Sequence, residues 1–143
     1  LTLNNGNHYA GAGSYGYTDE LPAEGFAGVV RLRDRWHNLN SQETVGVSPR
    51  MFQEFYSPYY NDIAREAGLV YFGCCEPVHA LWEASLRTMP NLRKVSISPW
   101  CDEAYMGEAL RGEKMVYSRK PMPQAAVVLP ACSAAASWRL APS

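Results

Sequence analysis

Short strand-forming runs alternate with longer helix-forming stretches along the middle of this chain. Residues 69–72 (LVYF) are an apolar run typical of a buried strand, and residues 94–98 and 114–118 follow as further strands. The segments between these runs are too long for hairpins, so we expect the strands to pair in parallel through helical crossovers. Weaker strand patterns occupy residues 36–41 and 1–4. The sequence therefore predicts an α/β fold with parallel strands alternating with helices.

The first helix is marked at both ends. Ser48 is a suitable N-cap, Pro49 suits the first helical position, and Gly68 is a C-terminal stop signal. Pro58 lies inside this segment and is expected to kink it. The apolar side chains that recur at spacing four are Met51, Phe55, Tyr59 and Ile63, with Phe52, Tyr56 and Ala67 beside them.

Two further helices are expected between the later strands. Pro77 opens one, and the pair Pro90-Asn91 ends it; Asp102 caps the other, and Gly112 ends it. The side chains predicted on the inward side of the former are Val78, Leu81, Trp82, Ser85 and Leu86. The apolar side chains of the latter are Ala104, Tyr105, Ala109 and Leu110.

A parallel sheet of this kind is either doubly wound or closed into a barrel. Neither GxGxxG after a strand nor GxxxxGK[ST] occurs in the chain, so the dinucleotide and P-loop interpretations lack their fingerprints. Residues 11–16 (GAGSYG) are rich in glycine but precede no helical pattern. We interpret them as a mobile loop in preference to a phosphate cradle.

Composition excludes several classes of function. The chain has 143 residues with 13 basic and 14 acidic side chains, and no basic stripe that would neutralise a nucleic acid. It has neither a membrane-spanning apolar stretch nor a signal-peptide pattern, so the expected location is the cytoplasm. Of the four cysteines, Cys74 and Cys75 are adjacent, and reduced thiols are expected in preference to disulfides.

The residues just beyond the strands carry the candidate chemistry, because the carboxyl ends of parallel strands converge on one crevice. A carboxylate there can act as acid or base, and a cation can hold a carboxylated small-molecule substrate. The catalytic candidates are Glu43, Glu76 and Asp102. The substrate-binding candidates are Asn5, His8, Tyr9, Gln42, Trp100, Arg119 and Lys120.

Thiols and an imidazole near the same strand ends indicate a site for a thiophilic metal such as Zn²⁺. The candidate ligands are Cys74, Cys75, His79 and Cys101. Their spacing matches no standard zinc signature, so the alternative stays open that a cysteine packs as a small hydrophobe and the histidine lies in packing or at the surface. Zinc is the one cofactor that the sequence suggests.

Several motifs resemble those of uroporphyrinogen decarboxylase-like proteins. Residues 48–55 (SPRMFQEF), followed by Pro58-Tyr59, resemble the helix of that superfamily that opens with Ser-Pro and continues to Phe and Pro-Tyr. The segments that resemble a less characterised branch of the superfamily are residues 16–22, 73–77, 90–100 and 117–121.

The resemblance implies a partial (β/α)₈ TIM barrel. It covers about residues 1–123, which we interpret as an incomplete barrel domain holding its C-terminal part. Residues 124–143 depart from the family pattern and are interpreted as an aberrant or disordered tail. Since open edges of parallel strands are poorly tolerated, the isolated chain is expected to be unstable.

The resemblance also implies two alternative functions, and a third hypothesis lies outside it. One is a lyase that decarboxylates a tetrapyrrole or a small carboxylated substrate. A second is zinc-assisted methyl transfer between a corrinoid, carried by a partner protein, and a thiol; the His-x-Cys pair of such enzymes falls on Phe72 and Cys74, of which only Cys74 can bind metal. The third is an inactive fragment.

Overall fold

A computed structural model describes residues 18–122, which form a four-stranded sheet covered by helices. The strands are β1 (Trp36–Leu39), β2 (Leu69–Phe72), β3 (Leu92–Ile97) and β4 (Val116–Arg119). The helices are α1 (Pro49–Phe55), α2 (Ser57–Glu66) and α3 (Glu103–Ala109). Short 3-10 turns occupy Leu32–Asp34, Gln42–Thr44, Val78–Leu81 and Leu86–Thr88. The strand expected at residues 1–4, the glycine-rich loop and the tail from residue 124 lie outside the described residues.

All neighbouring strands are parallel, and their order in the sheet is their order in the sequence. Trp36 is in register with Leu69, and Lys94 is in register with Val116. The predicted parallel α/β architecture is therefore confirmed. Within residues 18–122 the sheet is open, with β1 and β4 at its edges.

One apolar cluster fills the space between the sheet and all three connections. It contains Val70 and Phe72 of β2, Phe52 of α1 and Met106 of α3, all fully buried. Trp82, from the segment between β2 and β3, is fully buried in the same cluster. Every crossover thus covers the same face of the sheet. A smaller cluster lies apart from this core and consists of Leu21, Trp36, Leu69 and Tyr71.

The first predicted helix is two helices with a break at Tyr56. Ser48 caps α1 by accepting a hydrogen bond from the Met51 amide at 3.2 Å, as its sequence position predicts. Pro58 lies in the first turn of α2, where its missing N–H costs nothing, so one helix ends and another begins at Tyr56 in place of a single kinked helix. The stripe predicted from spacing four is exposed: Met51, Phe55, Tyr59 and Ile63.

The helix predicted after Pro77 is absent, and two 3-10 turns occupy that part of the described chain. All five side chains predicted to face inward there are nevertheless buried. In the next segment Asp102 caps α3 as expected, accepting from the Tyr105 amide at 2.9 Å. Met106 is the buried side chain of α3, whereas Ala104 and Tyr105 are exposed.

No helix within residues 18–122 combines the length and apolar character that crossing a bilayer requires.

Candidate functional site

The sheet has an apolar face toward the helices. On the opposite face polar side chains lie beside the smaller apolar cluster, and we call it the polar face. Side chains alternate between the faces of a strand. Along β3, Val95 and Ile97 join the helix-side cluster, so Lys94 and Ser96 project from the opposite face. On β2 the same alternation puts Tyr71 on the polar face, opposite its neighbours in the helix-side core.

Two lysines approach one tyrosine on this polar face. The Lys94 ammonium lies 4.9 Å from the centroid of the Tyr71 ring, and the Lys120 ammonium lies 5.9 Å from it. Tyr71 is 2% exposed and Lys94 is 7% exposed. Burial, and then the charge of Lys120, lower the pKa of Lys94 from its ordinary value. The aromatic face stabilises both cations where water is scarce. We call Lys94, Lys120 and Tyr71 the lysine pair site.

The loop after β2 is tied to the lysine pair site through one carbonyl group. Cys74 follows Gly73, whose φ of +100° is a conformation that suits glycine. The Cys74 carbonyl oxygen accepts hydrogen bonds from the Ser96 hydroxyl at 2.9 Å and from the Lys120 ammonium at 3.0 Å. Lys120 is thereby held at the carboxyl end of β2, although it follows β4 in the sequence.

Glu76, predicted to be catalytic, anchors two loops. Its carboxylate accepts from the Ser41 amide and from the Cys74 amide, each at 2.8 Å, and the residue is 3% exposed. Both oxygens therefore join backbone at the ends of β1 and β2. This geometry gives Glu76 a structural role, and its catalytic role stays a prediction.

Neither of the other two predicted catalytic residues belongs to the lysine pair site. Asp102 is exposed and caps α3. Glu43 is exposed on the 3-10 turn after β1, near Tyr60. Burial, and then the charges of Glu43 and Glu76, raise the pKa of Tyr60 to about 12, and its hydroxyl donates to the Asn40 carbonyl at 2.6 Å.

The predicted metal ligands are not gathered into a metal site. No group of three or more His, Cys, Asp or Glu side chains within residues 18–122 is arranged to hold a metal ion. The Cys101 sulfur is buried beside the Ser98 hydroxyl, and the His79 Nδ1 atom accepts from the Asp102 amide at 3.2 Å. Cys74 and Cys75 do lie together, with their sulfurs 3.7 Å apart. The described residues therefore do not fit the expected zinc centre.

The predicted substrate-binding residues separate in the structure. Arg119 and Lys120 are adjacent in sequence, so they project to opposite faces. Arg119 forms an ion pair with Glu103 at 2.9 Å, while Lys120 joins the polar face. Gln42 is exposed and Trp100 is 64% exposed. The remaining three lie outside the described residues: Asn5, His8 and Tyr9.

Sequence reasoning missed Lys94, Tyr71 and Ser96. The signal was present in residues 94–98 (KVSIS), where apolar Val and Ile alternate with Lys and Ser. This alternation indicates that one face of the strand is polar along its length, so chemistry is not confined to the residues beyond its carboxyl end.

A cleft of about 380 Å³ lies at the other end of the sheet. Its wall includes Trp36, Leu69 and Val116, which are the first residues of their strands. Glu20 also lines the cleft and forms ion pairs with Arg93 at 3.2 Å and with Lys114 at 3.3 Å. In parallel α/β enzymes the chemistry belongs to the carboxyl ends, so we assign this cleft no catalytic role.

Comparison of the chain with protein-family models, with curated proteins and with solved structures gave no match.

Proposed function

We propose that the sheet is one part of a (β/α)₈ barrel of the uroporphyrinogen decarboxylase-like type, and that the enzyme decarboxylates a tetrapyrrole or another carboxylated substrate. Two features of the sheet support the barrel. The strands follow one another in sequence order, and all crossovers cover one face. A doubly wound sheet reverses its strand order and carries helices on both faces, whereas a barrel does neither.

The lysine pair site is the observation that carries the proposed function. In a barrel, the face away from the helices is the interior, and the carboxyl ends of the strands surround the active site. Lys120 lies at that end, bound to the Cys74 carbonyl, and Lys94 lies on the same face over the same aromatic ring. Two ammonium groups beside one ring favour an anionic ligand, and a carboxylate is the anion that the family resemblance implies.

The two lysines would have different roles in decarboxylation. Lys120 holds the substrate carboxylates by charge and hydrogen bonding. As the bond to the leaving carboxylate breaks, carbon dioxide departs and the electron pair stays on carbon, where a nearby cation stabilises it. Lys94, whose pKa is lowered by burial and by Lys120, is suited to donate the proton that this carbon then takes up.

Binding of a porphyrin polycarboxylate, followed by quenching of tryptophan fluorescence, tests this proposal. Lys94→Met and Lys120→Met each remove one cation while keeping an unbranched side chain, and each should weaken binding about tenfold, equivalent to ~1.4 kcal/mol. Arg119→Gln is the matched control, because this cation is already paired with Glu103 on the opposite face.

The porphyrin methyl ester provides a second control, since it lacks the negative charges. Its affinity should not differ between the wild type and the lysine variants. Unchanged affinity of the Lys94→Met/Lys120→Met double variant for the free polycarboxylate, in a chain with an unaltered circular dichroism spectrum, would overturn the proposal.

A further inference from the structure

Cys74 and Cys75 form an adjacent thiol pair on the loop after β2. Their sulfurs are 3.7 Å apart, Cys75 is exposed, and Cys74 is half-buried. The backbone of this loop is fixed on both sides of Cys74, by Glu76 at its amide and by Ser96 and Lys120 at its carbonyl. The two thiols are thus held in contact at an accessible place.

We propose that Cys74 and Cys75 are a redox modification site that closes reversibly to a vicinal disulfide. Neighbouring Cα atoms are about 3.8 Å apart, below the range of about 4.4–6.8 Å that disulfides usually span. Such a bond is strained, and strained exposed disulfides are the easily reduced, regulatory kind. A hydroperoxide is the class of oxidant that suits an exposed thiol beside a second one.

The oxidation proceeds in two displacements. One sulfur, as thiolate, attacks an oxygen of the hydroperoxide; the O–O bond breaks, an alcohol or water leaves, and a sulfenic acid forms. The second thiolate then attacks the sulfenic sulfur, forming the S–S bond and releasing the oxygen as water. The two sulfurs together lose two electrons, the peroxide gains them, and both thiol protons end on the released oxygens.

Ring closure has a structural consequence for Lys120. The disulfide ring contains the peptide bond between Cys74 and Cys75, so the Cys74 carbonyl must turn when the sulfurs approach to bonding distance. This carbonyl accepts from Ser96 and Lys120. Oxidation should therefore weaken the hydrogen bond from the Lys120 ammonium to the Cys74 carbonyl oxygen. The importance of this effect on Lys120 rests on the proposed function. The disulfide itself does not depend on that function.

Tryptic peptide mapping of the full chain after treatment with hydrogen peroxide tests the site directly. Cleavage after Arg65 and Arg87 yields one peptide, residues 66–87, that carries both thiols and no other cysteine. Cys101 and Cys132 fall on two separate peptides. We expect peptide 66–87 to lose two hydrogens and to regain them with dithiothreitol. Added oxygen on this peptide, or a link to either of the other peptides, would overturn the proposal.

The variants provide matched controls. Cys101→Ser removes a buried thiol and should leave the mass change of peptide 66–87 intact, while Cys75→Ser should abolish it. Because the thiolate is the nucleophile, the disulfide should form faster as the pH rises above neutral. Porphyrin affinity is measured separately, so a failure of the lysine proposal leaves the mass result interpretable.

Discussion

Glu76 joins the loops at the carboxyl ends of β1 and β2. Its carboxylate accepts from two backbone amides that belong to different loops, and it is almost fully buried. Glu76→Ala would leave these donors without an acceptor, and each unsatisfied buried group costs about 1–3 kcal/mol. We expect Glu76→Ala to lower the free energy of unfolding in urea by about 3 kcal/mol.

Glu54→Ala is the control for this experiment, because Glu54 is exposed on α1. Its replacement should change the free energy of unfolding by less than about 0.5 kcal/mol. Equal effects of the two substitutions would contradict the anchoring role of Glu76 and return it to the catalytic candidates.

At the residue scale, the sequence indicates which side chains can bind a ligand or react, but not which of them lie close together in the fold. Arg119 and Lys120 were predicted to act together, yet the alternation of a strand separates them, and Glu103 pairs with Arg119. Lys94 joins Lys120 because β3 lies beside β4, and Tyr71 joins both because β2 lies beside β3. These neighbours depend on the order and register of the strands, which no single segment encodes.

At the scale of elements, the α1–α2 segment carries two apolar stripes of the same spacing. One consists of Met51, Phe55, Tyr59 and Ile63, and the other of Phe52, Tyr56, Tyr60 and Ala64. Periodicity alone cannot choose between them. The structure turns the second toward the core: Phe52 and Ala64 are fully buried, Tyr60 is half-buried, and Tyr56 at the helix break is 36% exposed. Phe52 stacks on Tyr60 with ring centroids 5.7 Å apart, and Tyr60 packs edge to face with Phe72.

Two phenylalanines of α1 test this choice of face. Phe52 is fully buried and Phe55 is 55% exposed, so the same truncation should have very different costs. We expect Phe52→Ala to destabilise the chain by about 3–5 kcal/mol and Phe55→Ala by less than about 0.5 kcal/mol, measured by urea unfolding. A larger loss for Phe55→Ala would mean that the Met51 stripe is covered in solution.

The segment after Pro77 shows which property of an element the sequence predicts well. Its buried side chains were predicted correctly, including Trp82 and Leu86, whereas its backbone forms 3-10 turns in place of an α-helix. In this segment the side chains reach the core although the backbone is not an α-helix. The hydrogen-bond pattern of a short segment depends on the packing around it, and Ser85, with φ −148° and ψ −50°, interrupts the helical path.

At the scale of the whole molecule, the parallel arrangement was predictable from the length of the connections. Crossovers of this length cannot form hairpins, and β1 to β4 follow one another as parallel strands. Closure of the sheet into a barrel does not follow from the connection lengths, because it depends on strands beyond residues 18–122. The proposed barrel rests on strand order and on the single helix-covered face.

Amide hydrogen exchange of individual residues, measured by NMR, tests whether the edge of β4 is open. The Lys120 amide donates to Ile97 of β3, so by the alternation of parallel pairing the Ser118 amide also points to β3, while the amides of Tyr117 and Arg119 point to the open edge. In the chain of 143 residues we expect slow exchange at Ser118 and fast exchange at Tyr117 and Arg119. Equal protection of the three amides would mean that a further strand, from the same chain or from a second copy, pairs with β4.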